Sequence, residues 1–542
     1  MIVAWSLLLS CGPANNANPD ASPTDTSPPA PCFDLAIEVT QPNASAPLSR
    51  HLHAVTSTAA SLTARWEADG HVVEVTWPES ATVHEHTLIG FHPGKTHTLT
   101  VTATAAGMSC DATADVATEP WPADFPQAIV VALPGGQPAP GHTLIPINTS
   151  HSTASVSSAV FAVDEEGQPC FLLNIDDQLE DAVPYGAGLL VTSGLEQRVA
   201  RFFRWDGTED YAFTLDPEAV SPQVAVAAAV AERFHHDVLP IPDQADRFIA
   251  LARYPTDIAD WPASYSDPSL RENRTVSDDV ILDFNRDGTV NAETLLSEFV
   301  PMDRIGYDSL ENVFPGWGDW SHANSVWWDA GNYILSLRHQ DAIVSLDPAA
   351  HELKWILGNS DNWIPPWSGK LLTPEAGLRW QWHQHAAELG PDAPDGRRQL
   401  ITFDNANWQA SPFTDVEPLM APMSRVVQFG IDEVAMTVRM DWSYEVSTVT
   451  GTRLFSEAIG DADFLSNGNI LSTWGMLDHQ PDGSTNLSAG LGNRTIRIIE
   501  FDPTTLEDVW HLYLTVPAED NDDGWTAYRS ERIPSLYGRA VD

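Results

Sequence analysis

Between residues 160 and 512 the chain passes six times through one element: an apolar strand, an acidic turn and a second apolar strand. The copies begin at Val160, Phe203, Ile281, Ile343, Val427 and Ile499. One such strand pair leaves an apolar face wet and a backbone edge unpaired. Repeating the pair and closing the repeats radially removes both defects. Helical periodicity is almost absent. The pattern predicts an all-β fold whose main domain, residues 127–540, is a six-bladed β-propeller of four-stranded units. The innermost strand of each unit then runs beside a central axis. Residues at equivalent strand starts face one another, however far apart they lie in sequence.

A different pattern precedes this domain. Residues 1–11 (MIVAWSLLLSC) form an apolar run too short to span a bilayer. The run resembles a bacterial lipoprotein export signal with Cys11 as the lipidated residue, although no Lys or Arg precedes it. Residues 12–31 are mostly Pro, Asn, Ser, Thr and Ala, cannot bury enough surface to fold, and read as a tether. Residues 32–118 alternate apolar and polar positions between turns and read as a small β-sandwich. There a Pro-Gly turn at 93–94 before a long alternating strand resembles the end of a fibronectin type III domain. Cys32 and Cys110 bracket this module and are expected to pair in an oxidising compartment, with Cys170 left as a buried thiol. The expected location is the periplasm or cell envelope, with membrane contact only through the lipid.

The chain carries 75 acidic against 27 basic residues, a formal charge of −48. Such a field excludes nucleic acid as a partner and opposes an anionic membrane surface. An anionic small molecule must therefore be held by a local cluster of donors.

The sequence supplies such a cluster. Residues 319–326 (DWSHANSV) and 335–347 (SLRHQ within a paired strand) bring His322, Asn324 and Arg338 into one hairpin. Residues 234–237 (FHHD) and 382–387 (WHQHAA) open an earlier and a later hairpin, placing His235, His236 and His385 at similar strand starts. A lone histidine at a strand start is usually structural. Three on different units beside an amide and a guanidinium point to an anion-handling site. A His-ligated zinc is the alternative, but an arginine among the ligands disfavours a cation, so neither metal nor cofactor is expected. Trp317, Trp320, Trp363, Trp367, Trp380 and Trp382 crowd these motifs and suit either an aromatic rim or core between units.

These blocks, with residues 353–359 (LKWILGN) and 401–406 (ITFDNA), resemble the bacterial arylsulfate sulfotransferase family over roughly residues 130–535. The resemblance implies a six-bladed propeller that moves a sulfuryl group from an aryl sulfate to a phenol without a nucleotide donor. It implies His385 as nucleophile through a sulfohistidine. His322, Asn324 and Arg338 would hold the sulfuryl oxygens, and His236 would be a further contact beside His235. Nucleophilic imidazole and fixed donors suit that chemistry independently of any relative. Two other readings stay open: a non-catalytic propeller that binds a ligand or partner at the cell surface, and a metal-dependent propeller hydrolase or lyase. A homodimer is compatible with each.

Overall fold

The computed structural model describes residues 33–133, 136–149, 156–193, 199–244, 246–313, 316–414, 423–448, 451, 453–479, 493–515 and 524–537. Cys11, Cys32 and the tether lie outside them. The described residues form an all-β protein, with only short 3-10 turns besides strands. Two compact units are present: Met1–Pro122 with Gln168–Leu173 and Arg204–Thr208, and Ala123–Gly167 with Asn174–Phe203 and Glu209–Asp542.

In the smaller unit, strands Leu35–Thr40, Arg50–Ala68, His71–Leu88, Thr96–Ala105 and Met108–Ala117 hydrogen-bond into one five-stranded sheet. The long strand Arg50–Ala68 changes partners midway. Its first half pairs with Leu35–Thr40, its second with Thr96–Ala105, and its register with His71–Leu88 breaks between Val55 and Leu62. Alternation puts Leu52, Ala54, Leu62, Ala64 and Trp66 inside and the intervening residues outside. Cys110 is disulfide-bonded, whereas Cys170 is a buried thiol outside any disulfide.

In the larger unit six sheets succeed one another along the chain. At one edge of the first lies Leu179–Tyr185, of the second Arg233–Pro240, of the third Ala323–Asp329, of the fourth His385–Leu389 and of the fifth Asp461–Phe464. The sixth joins both ends of the unit: His142–Thr149 pairs with Trp525–Thr526 and Glu531–Ile533. The fifth is also closed across the chain, since Gln127–Ala132 pairs with Glu507–Thr515.

The cores lie between consecutive sheets, which explains why the middle strands are buried on both faces. Ala342–Asp347 (AIVSLD) is buried at its first five positions. Leu251 and Ile281 of the second sheet pack with Val326, Leu335 and Val344 of the third, which on its other face offers Ile334 and Ile343 to Leu400 and Val427 of the fourth. Fully burying each such side chain contributes about 1.5–3 kcal/mol. Polar latches fix neighbouring sheets in register. Asp237 accepts from the Val326 amide at 2.7 Å, Ser325 Oγ from the Ala387 amide at 3.0 Å, and Glu388 from the Phe464 amide at 3.3 Å. Asn148 exchanges two hydrogen bonds with Leu179, at 2.7 and 2.8 Å.

Candidate active site

The edge strand named above for each of the first four sheets is bulged near its start. Pairing slips between Leu179 and Asp181, His235 and Val238, Ala323 and Ser325, and His385 and Ala387. A bulge unpairs a residue and re-aims its side chain. His236, His322, His383 and Ala386 also adopt positive φ, between 47° and 51°, a conformation that non-glycine residues rarely hold without a compensating constraint.

These local kinks bring together the residues singled out above. The His236 and His322 rings are 5.2 Å apart, and each of His236 and His385 lies 5.8 Å from the Tyr528 ring. His322 also lies 4.6 Å from His339, whose Nε2 accepts from Arg338 Nη1 at 2.7 Å. Asn324 spends one amide hydrogen on the Gln384 carbonyl at 2.8 Å, directly before His385, while its buried Oδ1 has no hydrogen-bond partner among the described residues. Arg338 uses only Nη1, toward His339 and Asp308; Nε and Nη2 make no hydrogen bond among the described residues.

The partners behind the histidines dictate which nitrogen carries the proton. His385 Nδ1 lies 2.7 Å from Asn405 Oδ1. Asn405 donates both amide hydrogens, to the Ser456 and Ile459 carbonyls at 2.9 Å each, so its oxygen must accept. The His385 proton therefore sits on Nδ1 and the Nε2 lone pair is left for chemistry. Burial first, and then the charge of Arg338, holds His385 well below the ordinary histidine pKa, so the ring is neutral. His322 Nδ1 meets Asp319 Oδ2 at 2.6 Å, again leaving Nε2. Burial opposes ionisation of Asp319, but the electrostatic pull of neighbouring His322, with the hydrogen bond between them, outweighs it and keeps the carboxyl below its usual range.

His235 stands behind His236. Its Nε2 lies 3.1 Å from Asp279 Oδ1 and its Nδ1 lies 2.8 Å from His236 Nδ1. With both nitrogens facing partners inside the protein, His235 has none left for a ligand. Burial, followed by His235 and His322, pushes His236 well below the histidine range.

Several partners were not singled out in the sequence. Asp319 and His383 lie within quoted motifs, and Asn405 follows Asp404 in ITFDNA. His383 is wedged between Asp341, at 2.8 Å, and Asp308, at 3.4 Å; burial lowers its pKa, yet the two carboxylates reverse the sign and raise it. Tyr528 and Arg529 had no motif at all. Trp320 and Trp363 prove to be core, and both are buried.

Asp319, His322 and His339 also place three ligand atoms close enough for a cation. Two of those atoms are already committed: His322 Nδ1 to Asp319 and His339 Nδ1 to the Asp319 carbonyl at 2.6 Å. Arg338 takes the remaining His339 nitrogen. The donor set fits an anion better than a metal.

A neutral His385 with no partner on Nε2 among the described residues, a guanidinium with unspent donors and a buried amide suit transfer of an anionic group. Comparison with known proteins agrees. An arylsulfate sulfotransferase, AssT, of Escherichia coli O6:H1 is 32% identical over 154 residues, which cover 24% of this chain and 24% of that protein, so the match spans about a quarter of the relative's length. Solved structures give only weak likenesses. An ACO/RPE65 chimera superposes with TM-score 0.30 at 10% identity, over 74% of this chain and 96% of that one. Rhamnogalacturonan lyase PL11 of Bacillus licheniformis gives 0.25 at 10%, over 87% and 81%. Neither supports any argument. Residues 147–525, most of the larger unit, match the arylsulfotransferase (ASST) family, and the chain belongs to that family.

Proposed function

We propose that the protein moves a sulfuryl group from an aryl sulfate ester to a phenol in two steps through a sulfohistidine on His385. The observation that carries this reading is the Asn405 contact, which leaves a neutral His385 with its lone pair on Nε2. In the first step Nε2 forms a bond to sulfur as the sulfur–oxygen bond to the aryl group breaks. The departing oxygen takes a proton from His322 Nε2. In the second step a phenol gives its proton to His322 Nε2 and attacks the same sulfur, breaking the nitrogen–sulfur bond and restoring His385. Splitting the transfer avoids bringing two anions together at once.

His322 fits the proton-carrying role better than His236. Its Nδ1 contact with the Asp319 carboxylate stabilises the imidazolium, whereas His236 sits behind another imidazole and is held neutral. Arg338, through Nε and Nη2, and the free amide hydrogen of Asn324 would hold the sulfuryl oxygens. His235 is then a support for His236 rather than a substrate contact.

The remaining assignments follow as one reading. The six consecutive sheets, joined at both chain ends, support a six-bladed propeller. The small unit, with a strand shared between two pairings around Trp66, supports a fibronectin type III-like sandwich. An exported, lipid-anchored protein, held by Cys11 and stapled by Cys32–Cys110, fits the N-terminal sequence and the bonded state of Cys110.

Initial-rate kinetics with an aryl sulfate and a phenol test the two-step scheme. Parallel double-reciprocal lines, with sulfuryl exchange between two phenols in the absence of net reaction, are expected. Intersecting lines without exchange would reject the covalent step. Activity that survives chelation separates the reading from a metal enzyme.

A further inference from the structure

We infer that Trp408, backed by Tyr307, is the platform on which the aryl group of the substrate stacks. The inference rests on the sulfuryl-transfer reading of the same site and adds where the aromatic part lies.

Trp408 is among the few large hydrophobic side chains left exposed, at 42% of its surface. Its backbone has φ of 59°, a left-handed conformation that a bulky residue adopts only under constraint, and its neighbours Ala406 and Gln409 share that region. A strained backbone that presents an indole to solvent gains nothing for the core. One face is stacked on Tyr307, with ring centroids 5.2 Å apart and planes 21° from parallel, and Tyr307 leans on Tyr265 at 5.0 Å.

The indole is tied to the anion-handling residues. Trp408 Nε1 donates to Asp308 Oδ1 at 3.1 Å, and the other oxygen of the same carboxylate lies 3.2 Å from Arg338 Nη1. One carboxylate therefore separates the aromatic surface from the guanidinium. Exposure rises along this line, from buried His385 and Arg338 through half-buried Asp308 to exposed Trp408. An aryl sulfate has the matching polarity: an anionic end for the buried donors and a flat apolar end for the rim. Offset stacking satisfies the ring without demanding a particular substituent.

The test is equilibrium binding in the His385→Asn background, so that no turnover intervenes, using phenyl sulfate and a fused-ring aryl sulfate as probes. Initial rates on the active chain run beside it. Trp408→Ala should weaken the fused-ring probe about 5- to 10-fold and phenyl sulfate by less, lowering the discrimination between them. Trp408→Phe, which keeps a ring but loses the bond to Asp308, should retain most of that discrimination. Unaltered discrimination in Trp408→Ala overturns the platform, as does a Trp408→Phe protein as impaired as Trp408→Ala, which would make the tie to Asp308 the whole role. If the unsubstituted chain transfers no sulfuryl group yet Trp408→Ala still loses fused-ring binding, the platform stands and the transfer reading fails.

Discussion

Arg529 and Arg338 are both buried among the inner strands of the larger unit, and they differ in what remains of their hydrogen-bonding capacity. Arg529 has its charge balanced on several sides, and only its buried Nε lacks a hydrogen-bond partner among the described residues. It lies 2.6 Å from Asp237 and 3.0 Å from Asp181, and donates to the Asn324 carbonyl at 3.0 Å. Those three partners come from the first, second and third sheets, and the charge of Asp461, from the fifth, also bears on it. Burial would weaken its charge, but these carboxylates more than restore it. Arg338 has one carboxylate, Asp308, and one neutral imidazole, and keeps Nε and Nη2 unspent. A guanidinium ringed by carboxylates fixes geometry and has no unbalanced charge left to attract an anion. One with a single acidic partner retains both charge and donors. The same side chain is a rivet at one point and, at the other, keeps the donors that a ligand-binding fork would need.

That contrast can be broken by substitution. Arg338→Met should lower sulfuryl transfer about 10²- to 10³-fold, measured as kcat, with the denaturation midpoint close to that of the parent. Arg529→Met should do the reverse in kind. Leaving Asp237, Asp181 and Asp461 uncompensated should lower stability by about 3–5 kcal/mol in chemical denaturation. If Arg338→Met unfolds the protein while Arg529→Met only slows it, the two roles have been exchanged.

Smaller effects sharpen the picture. Asp319→Asn should slow transfer by about 10²-fold, because His322 loses the carboxylate that its Nδ1 faces. The loss should shrink with donors whose leaving phenol is acidic and needs little help from a proton; an equal loss for every donor would make Asp319 merely structural.

A further effect is confined to the pH dependence of stability. Burial pushes the Asp278 carboxyl up to about 7, against 3.8 ordinarily. The native state then holds this proton to higher pH than the unfolded chain does. The stability it contributes is complete below pH 3.8 and declines as pH rises toward 7. One such group adds a slope of at most about 1.4 kcal/mol per pH unit. Asp278→Asn should flatten the curve in that window; an unchanged slope would exclude Asp278 as its source.

How much of this was legible in the sequence follows from what each feature depends on. Alternation and acidic turns mark the strands because burial on a pleated surface has a period of two. His236, His322 and His385 were readable because similar units place them at similar strand starts. Tyr528 and Arg529 were not, since they lie between two short strands far along the chain and reach Asn324, 204 and 205 residues away, only through the fold. Asp308 and Trp408 sit on irregular loops whose positive φ values no pattern announces. Among the tryptophans, position in a motif did not separate core from rim: Trp320 is buried inside one, while Trp408 is exposed just beyond another.

The contrast between the arginines matters only if an anion is delivered to His385. The most direct measurement is mass spectrometry of the protein quenched after mixing with a chromogenic aryl sulfate, with peptides mapped under conditions that preserve nitrogen–sulfur bonds. A sulfuryl adduct confined to His385, absent from His385→Asn and discharged by adding a phenol, is the expected result. Full transfer activity in the His385→Asn protein, or an adduct on another residue discharged at the turnover rate, would contradict the account.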